Sequence, residues 1–351
     1  MGADVDVIVA VHDPARPVER AVASALESEA VARVIVVCHN IPIDPIRSRL
    51  GSLADDPRIV IDALDDGTRS PAGPFNRGLD LALGAFVSVM GSDDAVQPGA
   101  IDAWRRAAAQ HAADVVIAPL RHAGGSRVPT PPTLRRSSLR GARDRLAFRT
   151  APLGLVSRAK FGDLRFTEGL ATGEDLAYST RLWFSGARIA GCRESAYYLI
   201  HDDNERVTFT KRTLAEDVRA VELLIRDPWV LSLSARDRRA IGVKLWRVNL
   251  FGAVHYRAGA WSADDRSTAS AMAAALAEFS PQSTEVLSRA EGLLADALRD
   301  PTSTDSRIDL LSQRRRRFAS LRALVPIRTW RLFDRDAPLR FSAATWWALR
   351  G

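Results

Sequence analysis

Residues 65–101 read DDGTRSPAGPFNRGLDLALGAFVSVMGSDDAVQPGAI, and this stretch carries the pattern that decides the fold. A helix is predicted through residues 79–84, and it leads directly into an apolar strand at residues 85–90. Polar residues follow the strand, and Pro98 then helps to start another helix at residues 100–110. A buried strand between two helices is typical of a parallel sheet whose two faces are both covered.

The same alternation continues on both sides of this stretch. Apolar strands are predicted at residues 4–11, 33–37, 58–63 and 114–118, and a further helix at residues 17–28. We therefore expect an α/β fold with a mostly parallel sheet. No Gly-x-Gly-x-x-Gly follows the first strand and no Gly-x-x-x-x-Gly-Lys-Ser/Thr occurs, which argues against a dinucleotide oxidoreductase and a P-loop NTPase.

Polar residues just after the predicted strands are candidates for a binding site. In open parallel sheets, ligands bind beyond the carboxyl ends of the strands, where the strand order reverses. The residues at these positions are His12, Asp13, His39, Asn40, Asp65, Asp66, Gly67, Ser92, Asp93 and Asp94.

The composition is that of a folded globular chain. Of 351 residues, 46% are hydrophobic and 26% charged, which is enough apolar material for a sizeable core and for about two domains. Cys38 and Cys192 are the two cysteines, so at most one disulfide could form, and we expect a reducing compartment. No basic leader or spanning apolar run is found, so we expect no signal peptide and no transmembrane segment.

The net charge of +7 belongs to the C-terminal segment. Residues 305–351 contain eleven arginines, no lysine and four acids, so the rest of the chain is neutral. Aromatic residues lie among these arginines, which suits contact with anionic lipid headgroups. The alternative is that the aromatic residues pack on a helical module formed by residues 211–304, while the arginines face water. No nucleic-acid motif accompanies the charges, and we expect no nucleic-acid partner.

Two pairs of adjacent acids stand at positions where chemistry is possible. Asp93 and Asp94 directly follow a predicted strand, and such neighbours repel each other unless a cation or a basic group compensates them. Mg²⁺ or Mn²⁺ would suit these oxygen ligands, whereas the structural alternative is a cap on the following helix. Glu174 and Asp175 open another predicted helix, where a general base or a merely acidic first turn is possible.

The order of these motifs resembles the inverting family 2 glycosyltransferases of GT-A (Rossmann-like) fold. The resemblance spans about residues 4–205 and rests on the run from Gly67 to Pro98, followed by Gly173-Glu174-Asp175 and the helix after it. It implies a donor site for a nucleotide-diphosphate sugar, first of all a UDP-sugar. It also implies a divalent cation, Mn²⁺ or Mg²⁺, that bridges the diphosphate of the donor.

The resemblance assigns roles residue by residue. Asp94 matches the metal ligand, and His201 lies where some relatives have a third ligand, although a lone histidine after a strand is also a common structural residue. Asp175 matches the general base, with Glu174 beside it in the catalytic pair. The implied donor-binding residues are His12, Asp13, Asn40, Asp65, Asp66, Asn76, Arg77 and Asp93.

Two departures from the family pattern concern the donor site. The second strand ends in Cys38-His39-Asn40 where the family usually has an aspartate, and Gly91 replaces the acid that often opens the metal motif. Asn40 is then expected at the base or ribose, and the nucleotide preference of this chain is expected to differ. These departures also motivate a non-catalytic alternative, in which the fold serves as a scaffold or binding subunit.

The chain divides into three predicted parts. Residues 1–210 form the catalytic domain, with a donor half (1–118) and an acceptor half (119–210), residues 211–304 form a helical module, and residues 305–351 form the basic segment. The acceptor half contains a loop rich in proline and arginine, which suits a diphosphate or an anionic acceptor or else a solvated surface. Its arginines are Arg135, Arg136, Arg140, Arg143, Arg145 and Arg149.

The sequence thus predicts a metal-dependent inverting glycosyltransferase. It would transfer a sugar to a hydroxyl of a polysaccharide, glycolipid or cell-envelope acceptor, in the cytoplasm or at the inner face of the membrane. A sugar nucleotidylyltransferase is a further alternative, but the loop after the first strand, HDPARP at residues 12–17, lacks the glycine-rich character which that reaction requires.

Overall fold

The computed structural model describes residues 2–192, 196–201, 212–318 and 320–350. Within these residues the strands form two sheets. The strands are β1 (Val5–Val11), β2 (Val31–His39), β3 (Ile59–Leu64), β4 (Phe86–Gly91), β5 (Ala95–Val96), β6 (Val115–Ile117), β7 (Leu120–His122), β8 (Arg127–Val128), β9 (Gly154–Ser157), β10 (Ile189–Gly191) and β11 (Tyr198–Ile200). The predicted mostly parallel sheet is confirmed.

The main sheet has the strand order β10-β6-β9-β4-β1-β2-β3. All its neighbouring strands run parallel except β9, which is antiparallel to both β4 and β6. A smaller sheet has the order β5-β11-β7-β8. The sequence did not predict β9 or the smaller sheet, because strands of two to four residues are too short to show a periodic pattern.

Helices cover both faces of the main sheet. They are α1 (Val18–Leu26), α2 (Ile43–Leu50), α3 (Ala72–Leu81), α4 (Ala100–His111), α5 (Arg158–Phe161) and α6 (Asp175–Phe184). In β1, Val7 and Val9 join the core on the side of α1 and α4, whereas Ile8 joins the core on the side of α3 and α6. Because successive strand residues point to opposite faces, this alternation fixes the three layers.

Helix α3 begins earlier than the sequence predicted. The expected helix at residues 79–84 is in fact the end of α3, which starts at Ala72 and includes Pro74 in its first turn. Proline is tolerated there because the first N–H groups of a helix have no partner within it. Gly78 then lets α3 approach β1, since a Cβ at this position would lie 2.2 Å from Cγ2 of Ile8.

The C-terminal part of the chain is helical, as predicted. Its helices are α7 (Leu214–Arg226), α8 (Pro228–Ser232), α9 (Ala235–Lys244), α10 (Phe251–Tyr256), α11 (Ala263–Phe279), α12 (Pro281–Glu285), α13 (Arg289–Arg299), α14 (Asp305–Arg315), α15 (Leu321–Leu324) and α16 (Pro338–Arg350). A π-helical segment, Leu245–Leu250, joins α9 to α10. The single helix expected over residues 283–298 is two, because Ser288 forms a capping box with Glu291 and starts α13 afresh.

The helical part packs on the sheet-bearing part through a shared core. Leu170 and Leu176 of the sheet-bearing half lie in the same cluster as Leu214, Trp246 and Phe251. The expected boundary at residue 210 lies outside the described residues. Among the helices that are described, none is both long and apolar enough to cross a bilayer.

Candidate active site

The carboxyl ends of β1, β2 and β4 lie side by side. Ala10 of β1 pairs with Gly91 of β4, and Val11 pairs with Cys38 of β2. This register brings the residues that follow each strand to one edge of the sheet, as the parallel pattern predicted. Cys38 itself is buried and forms no disulfide, and its burial, together with the charge of Asp62, raises the pKa of its thiol to about 11.

Asp93 is held by two arginines that follow the first strand. Its side chain is almost completely buried, and Oδ2 lies 2.8 Å from a guanidinium nitrogen of Arg16. Arg20 of α1 donates a hydrogen bond to the main-chain carbonyl of Asp93. The sequence indicated that a cation or a basic group would compensate this acidic pair, but it did not identify these arginines, because they are remote along the chain.

Asp94 is held by the smaller sheet. The hydroxyl of Tyr198 in β11 donates to Oδ2 at 2.7 Å, and the main-chain N–H of His201 donates to Oδ1 at 3.1 Å. The same hydroxyl accepts a hydrogen bond from the N–H of Gly91 at 3.0 Å. Burial and then the charge of Asp94 raise the pKa of Tyr198 well above its usual value, so the hydroxyl remains a donor to the carboxylate.

Gly91 leaves room for the acidic pair. A Cβ at this position would lie 3.0 Å from Oδ2 of Asp94 and 3.1 Å from Oδ1 of Asp93. A third acid here, as in the family pattern, would therefore crowd both carboxylates in the observed arrangement. The glycine at position 91, which departs from the family pattern, thus leaves the space that the two neighbouring carboxylates need.

The residues around Asp94 fit a divalent cation that shares its shell with a substrate. Within the described ranges, no three His, Cys, Asp or Glu side chains are grouped as a metal site. Magnesium, however, is usually bound through one or two carboxylates together with substrate phosphates and waters. Asp94 offers one such carboxylate, and the main chain of His201 is hydrogen-bonded to it.

Asn40 and His39 shape the loop after β3. Asn40 has φ of 56° and its side-chain oxygen accepts hydrogen bonds at 3.0 Å from the N–H groups of Asp66 and Gly67. Nε2 of His39 lies 2.8 Å from Oδ1 of Asp66. Burial alone would raise the pKa of Asp66, but hydrogen bonds from Thr68 and then from His39 outweigh it and lower the value to about 2.

The other predicted donor residues fall into two groups. Asp13 and Asp65 are exposed at this edge, and partial burial together with Arg16 lowers the pKa of His12. Asn76 and Arg77 instead have partners in the protein: Asn76 binds the main chain of Phe166 and the carboxylate of Glu168, and Arg77 pairs with Asp62. They are thus engaged with neighbouring segments rather than with Asp93 and Asp94.

Glu174 and Asp175 stand at the start of α6, as predicted. Burial, and then the charge of Asp175, raises the pKa of Glu174 to about 7. Burial also raises the pKa of Asp175, while the ammonium of Lys244 opposes this shift. The opposing cation favours the ionised form of Asp175, which is the form that a general base needs.

Lys244 is a feature that the sequence did not reveal. It is the last residue of α9, its side chain is 1% exposed, and its Nζ has no hydrogen-bond partner among the described residues. Burial lowers the pKa of this ammonium to about 8, and the charge of Asp175 opposes the shift. The helical part of the chain therefore supplies a buried cation to the field of the acidic pair.

The arginine-rich loop is held largely by its own side chains. Arg149 is buried and donates to the carbonyls of Ala118, Thr130, Ala151 and Leu153. Arg145 donates to the carbonyls of Pro132, Arg335 and Arg340 and thereby joins the loop to the C-terminal segment. Arg135 and Arg143 pair with the buried carboxylate of Asp144. Four of the six arginines thus bind protein groups.

Sequence comparison relates this architecture to sugar transferases. Residues 6–161 match the profile of Glycosyl transferase family 2. The chain is 36% identical over 95 residues to succinoglycan biosynthesis protein ExoO and 28% identical over 246 residues to ExoU, both of Rhizobium meliloti (strain 1021). These matches cover 27% and 63% of this chain. The chain spans 27% of the length of ExoO and 66% of that of ExoU.

Comparison with solved structures finds glycosyltransferases of similar fold. TarS 1-349 of S. aureus, solved in complex with UDP-GlcNAc, has a TM-score of 0.72 at 16% identity over 88% of this chain and 90% of TarS 1-349. The mannosyltransferase PcManGT from Pyrobaculum calidifontis, solved with GDP-Man and Mn²⁺, has a TM-score of 0.50 at 15% identity over 90% and 87%. The expected GT-A fold is confirmed, and within it residues 6–161 resemble glycosyl transferase family 2.

Proposed function

We propose that this chain is a metal-dependent inverting glycosyltransferase that uses a nucleotide-diphosphate sugar. The observation that carries the proposal is the separation of two acidic pairs with different electrostatic partners. Asp93 and Asp94 are bound by an arginine and a tyrosine at the carboxyl edge of the sheet, whereas Asp175 lies at a helix start in the field of Lys244. One pair suits donor binding and the other suits proton transfer.

Asp94 is the residue that would hold the cation, with His201 as a further ligand. A bound Mg²⁺ or Mn²⁺ would neutralise the charge that develops on the departing diphosphate. Tyr198 keeps Asp94 oriented, and Arg16 compensates the charge of Asp93. The role that we propose for Asp93 is contact with the ribose or sugar of the donor. Arg16 and Arg20 offset part of the negative charge that the aspartates give this edge, which reduces the repulsion of an anionic donor.

Asp175 is the general base. In its ionised form it accepts the proton of the acceptor hydroxyl while the hydroxyl oxygen bonds to the anomeric carbon. The bond from that carbon to the diphosphate breaks in the same step, so the configuration at the anomeric carbon inverts. Lys244 supports the ionised form of Asp175, and the raised pKa of Glu174 limits the repulsion that two ionised neighbours would create.

A UDP-sugar is the donor that we propose first. TarS and PcManGT were solved with UDP-GlcNAc and GDP-Man respectively, and the TarS fold is the more similar of the two. Donor contacts are proposed for His12, Asp13, Asn40, Asp65, Asp66, Asn76, Arg77 and Asp93. For Asn40, Asn76 and Arg77, whose polar groups have protein partners, the role is to shape the loops that receive the donor.

The acceptor that we propose is a hydroxyl of a growing polysaccharide or of a lipid-linked or cell-envelope sugar. ExoO and ExoU are named for succinoglycan biosynthesis, which supports a polysaccharide product. We place the reaction in the cytoplasm, with contact to the inner membrane face through residues 305–351. The eleven arginines of that segment support this location.

Calorimetric titration tests the donor site. UDP, GDP and dTDP are each titrated into the protein with Mn²⁺ and without it. We expect one nucleotide, first of all UDP, to bind, and to bind more tightly with Mn²⁺. Absence of binding by all three nucleotides would contradict the proposal and favour the non-catalytic scaffold, for which the replacement of the usual acid by Gly91 is the motivating feature.

A further inference from the structure

Helix α16 has one face on the protein and one face without a partner. Phe341 packs against Phe148 of the catalytic part, with ring centroids 4.5 Å apart. The residues with helical spacing on the other side are Leu339, Ala343, Trp346 and Trp347. Trp346 and Trp347 are 45% and 56% exposed, and Leu339 is also exposed. The outward face is therefore apolar and ends in two tryptophans.

The charges around this face have one sign. Helix α16 contains Arg340 and Arg350 but no acid, and the guanidinium of Arg350 lies 3.7 Å from the ring centroid of Trp346. Each acid of the C-terminal segment is either paired with a protein group or buried. They are Asp305 with Arg266, Asp309 with Trp261, Asp334 with Arg239 and Arg331, and Asp336, which is buried.

A pocket of about 150 Å³ adjoins the end of α16. Ala348 of the helix forms part of its wall, and Pro129 and Pro131 line it with apolar surface. Arg127, Arg135 and Arg136 also line it. No hydrogen bond or ion pair engages the guanidinium groups of Arg127 and Arg136 within the part of the chain that is described, so they can receive an anion.

We propose that the outer face of α16 and this arginine pocket dock the protein on an anionic phospholipid bilayer. The tryptophans would enter the interface, where an aromatic ring with a polar N–H is favoured. The pocket arginines would receive headgroup phosphates. This deepens the membrane contact proposed above and rests on it. A second copy of the chain fits the face poorly, because its arginines would meet arginines.

Vesicle co-sedimentation of the full chain tests the docking surface without donor or acceptor. One set of vesicles is pure phosphatidylcholine and the other contains phosphatidylglycerol in addition. We expect binding to the anionic vesicles alone, and weaker binding as salt increases. Arg127→Gln with Arg136→Gln should weaken binding about tenfold or more, since each basic residue near the surface contributes substantially. Trp346→Ser with Trp347→Ser should weaken it by a similar factor.

Matched control variants test whether vesicle binding requires this surface in particular, rather than any exposed arginine or apolar side chain. Arg188→Gln with Arg226→Gln removes two exposed arginines elsewhere, and Leu83→Ser removes an exposed apolar residue between α3 and β4. These variants should bind as the wild type does. Equal binding to both vesicle types, or equal loss in the control variants, would overturn the proposal. The proposal would also be overturned if the variant with Trp346→Ser and Trp347→Ser dissociated a dimer of this chain but still bound vesicles. Donor titration of the same samples reports separately on the proposed function.

Discussion

At the scale of single residues, the two acidic pairs divide the proposed reaction between them. Asp94 is oriented by Tyr198 and the main chain at His201, so its carboxylate is fixed before any donor arrives. Asp175 instead depends on charge, because burial opposes its ionisation and Lys244 favours it. In the proposed reaction, hydrogen-bond geometry thus orients Asp94 for the donor, whereas the nearby charge of Lys244 favours the ionised Asp175 that would act on the acceptor.

Substitution of each acid should give a different defect. Asp94→Ala should weaken metal-dependent nucleotide binding at least about tenfold, since even residues that only support a metal ligand usually cost that much. Asp175→Asn should leave nucleotide binding nearly unchanged but reduce transfer by about 10²–10⁴-fold, the usual contribution of a general base. Calorimetry and a transfer assay on both variants measure this split, and an equal loss of binding in both would contradict the two roles.

Lys244→Met should change the pH dependence of transfer. Burial raises the pKa of Asp175 and Lys244 lowers it, so loss of the cation should raise that pKa further. The base is then ionised only at higher pH, and the acid side of the kcat profile should move upward. Lys244→Arg retains the charge and should keep the profile near that of the wild type. A fall in kcat by the same factor at every pH would show that Lys244 has only a structural role.

The same substitution gives a second readout. Burial lowers the pKa of Lys244 to about 8, below the 10.5 of a free lysine. Charged Lys244 therefore destabilises the folded state by its full amount below about pH 8. This cost in stability decreases as the pH rises from about 8 towards 10.5. Methionine carries no charge into the core. We therefore expect Lys244→Met to raise the Tm at pH 7, measured by differential scanning fluorimetry.

At the scale of elements, the close packing of α3 on β1 supports the sheet edge at which we propose donor binding. Gly78 allows α3 to lie against β1, because a Cβ there would be 2.2 Å from Cγ2 of Ile8. Gly78→Ala should therefore lower the free energy of unfolding by about 1–3 kcal/mol, the usual cost of overpacking. Gly124→Ala is the matched control, since its Cβ would have no neighbour within 4 Å. Urea titration measures both, and equal stability would refute the steric argument.

The long elements were predictable from the sequence and the short ones were not. The strands β1 to β4 contain apolar runs that identify a buried parallel sheet, and Ser262 and Thr213 mark helix starts by capping chemistry. The smaller sheet has strands of two or three residues, so Tyr198 could not be placed beside Asp94. Arg16 and Lys244 were missed for a similar reason, since each meets its acid only through the tertiary fold.

At the scale of the whole molecule, the C-terminal segment is tied to both other parts of the chain. Arg145 of the arginine-rich loop donates to the carbonyl of Arg335 at 2.6 Å, and Arg247 of the C-terminal helical part donates to that of Asp336 at 2.8 Å. The segment therefore packs on the protein with one side. Its other side retains exposed aromatic residues such as Trp330 and Phe333.

Arg145→Gln should loosen this attachment. The substitution removes charged donors to three carbonyls, and such hydrogen bonds contribute about 1.5–3 kcal/mol each when formed to a charged group. We expect faster cleavage by trypsin after Arg335 and Arg340 than in the wild type. Arg140→Gln, at an exposed position of the same loop, should not change the rate. Equal cleavage of both variants would show that Arg145 does not hold the segment.

Hydrolysis of the donor tests the central claim most directly, because water can replace an acceptor that is still to be identified. The tightest-binding sugar nucleotide is incubated with the protein and Mn²⁺, and proton NMR identifies the first anomer of the released sugar. We predict the anomer opposite to that of the donor, and loss of its release in Asp175→Asn. Release of the retained anomer, or an unchanged rate in Asp175→Asn, would contradict inversion with Asp175 as the base.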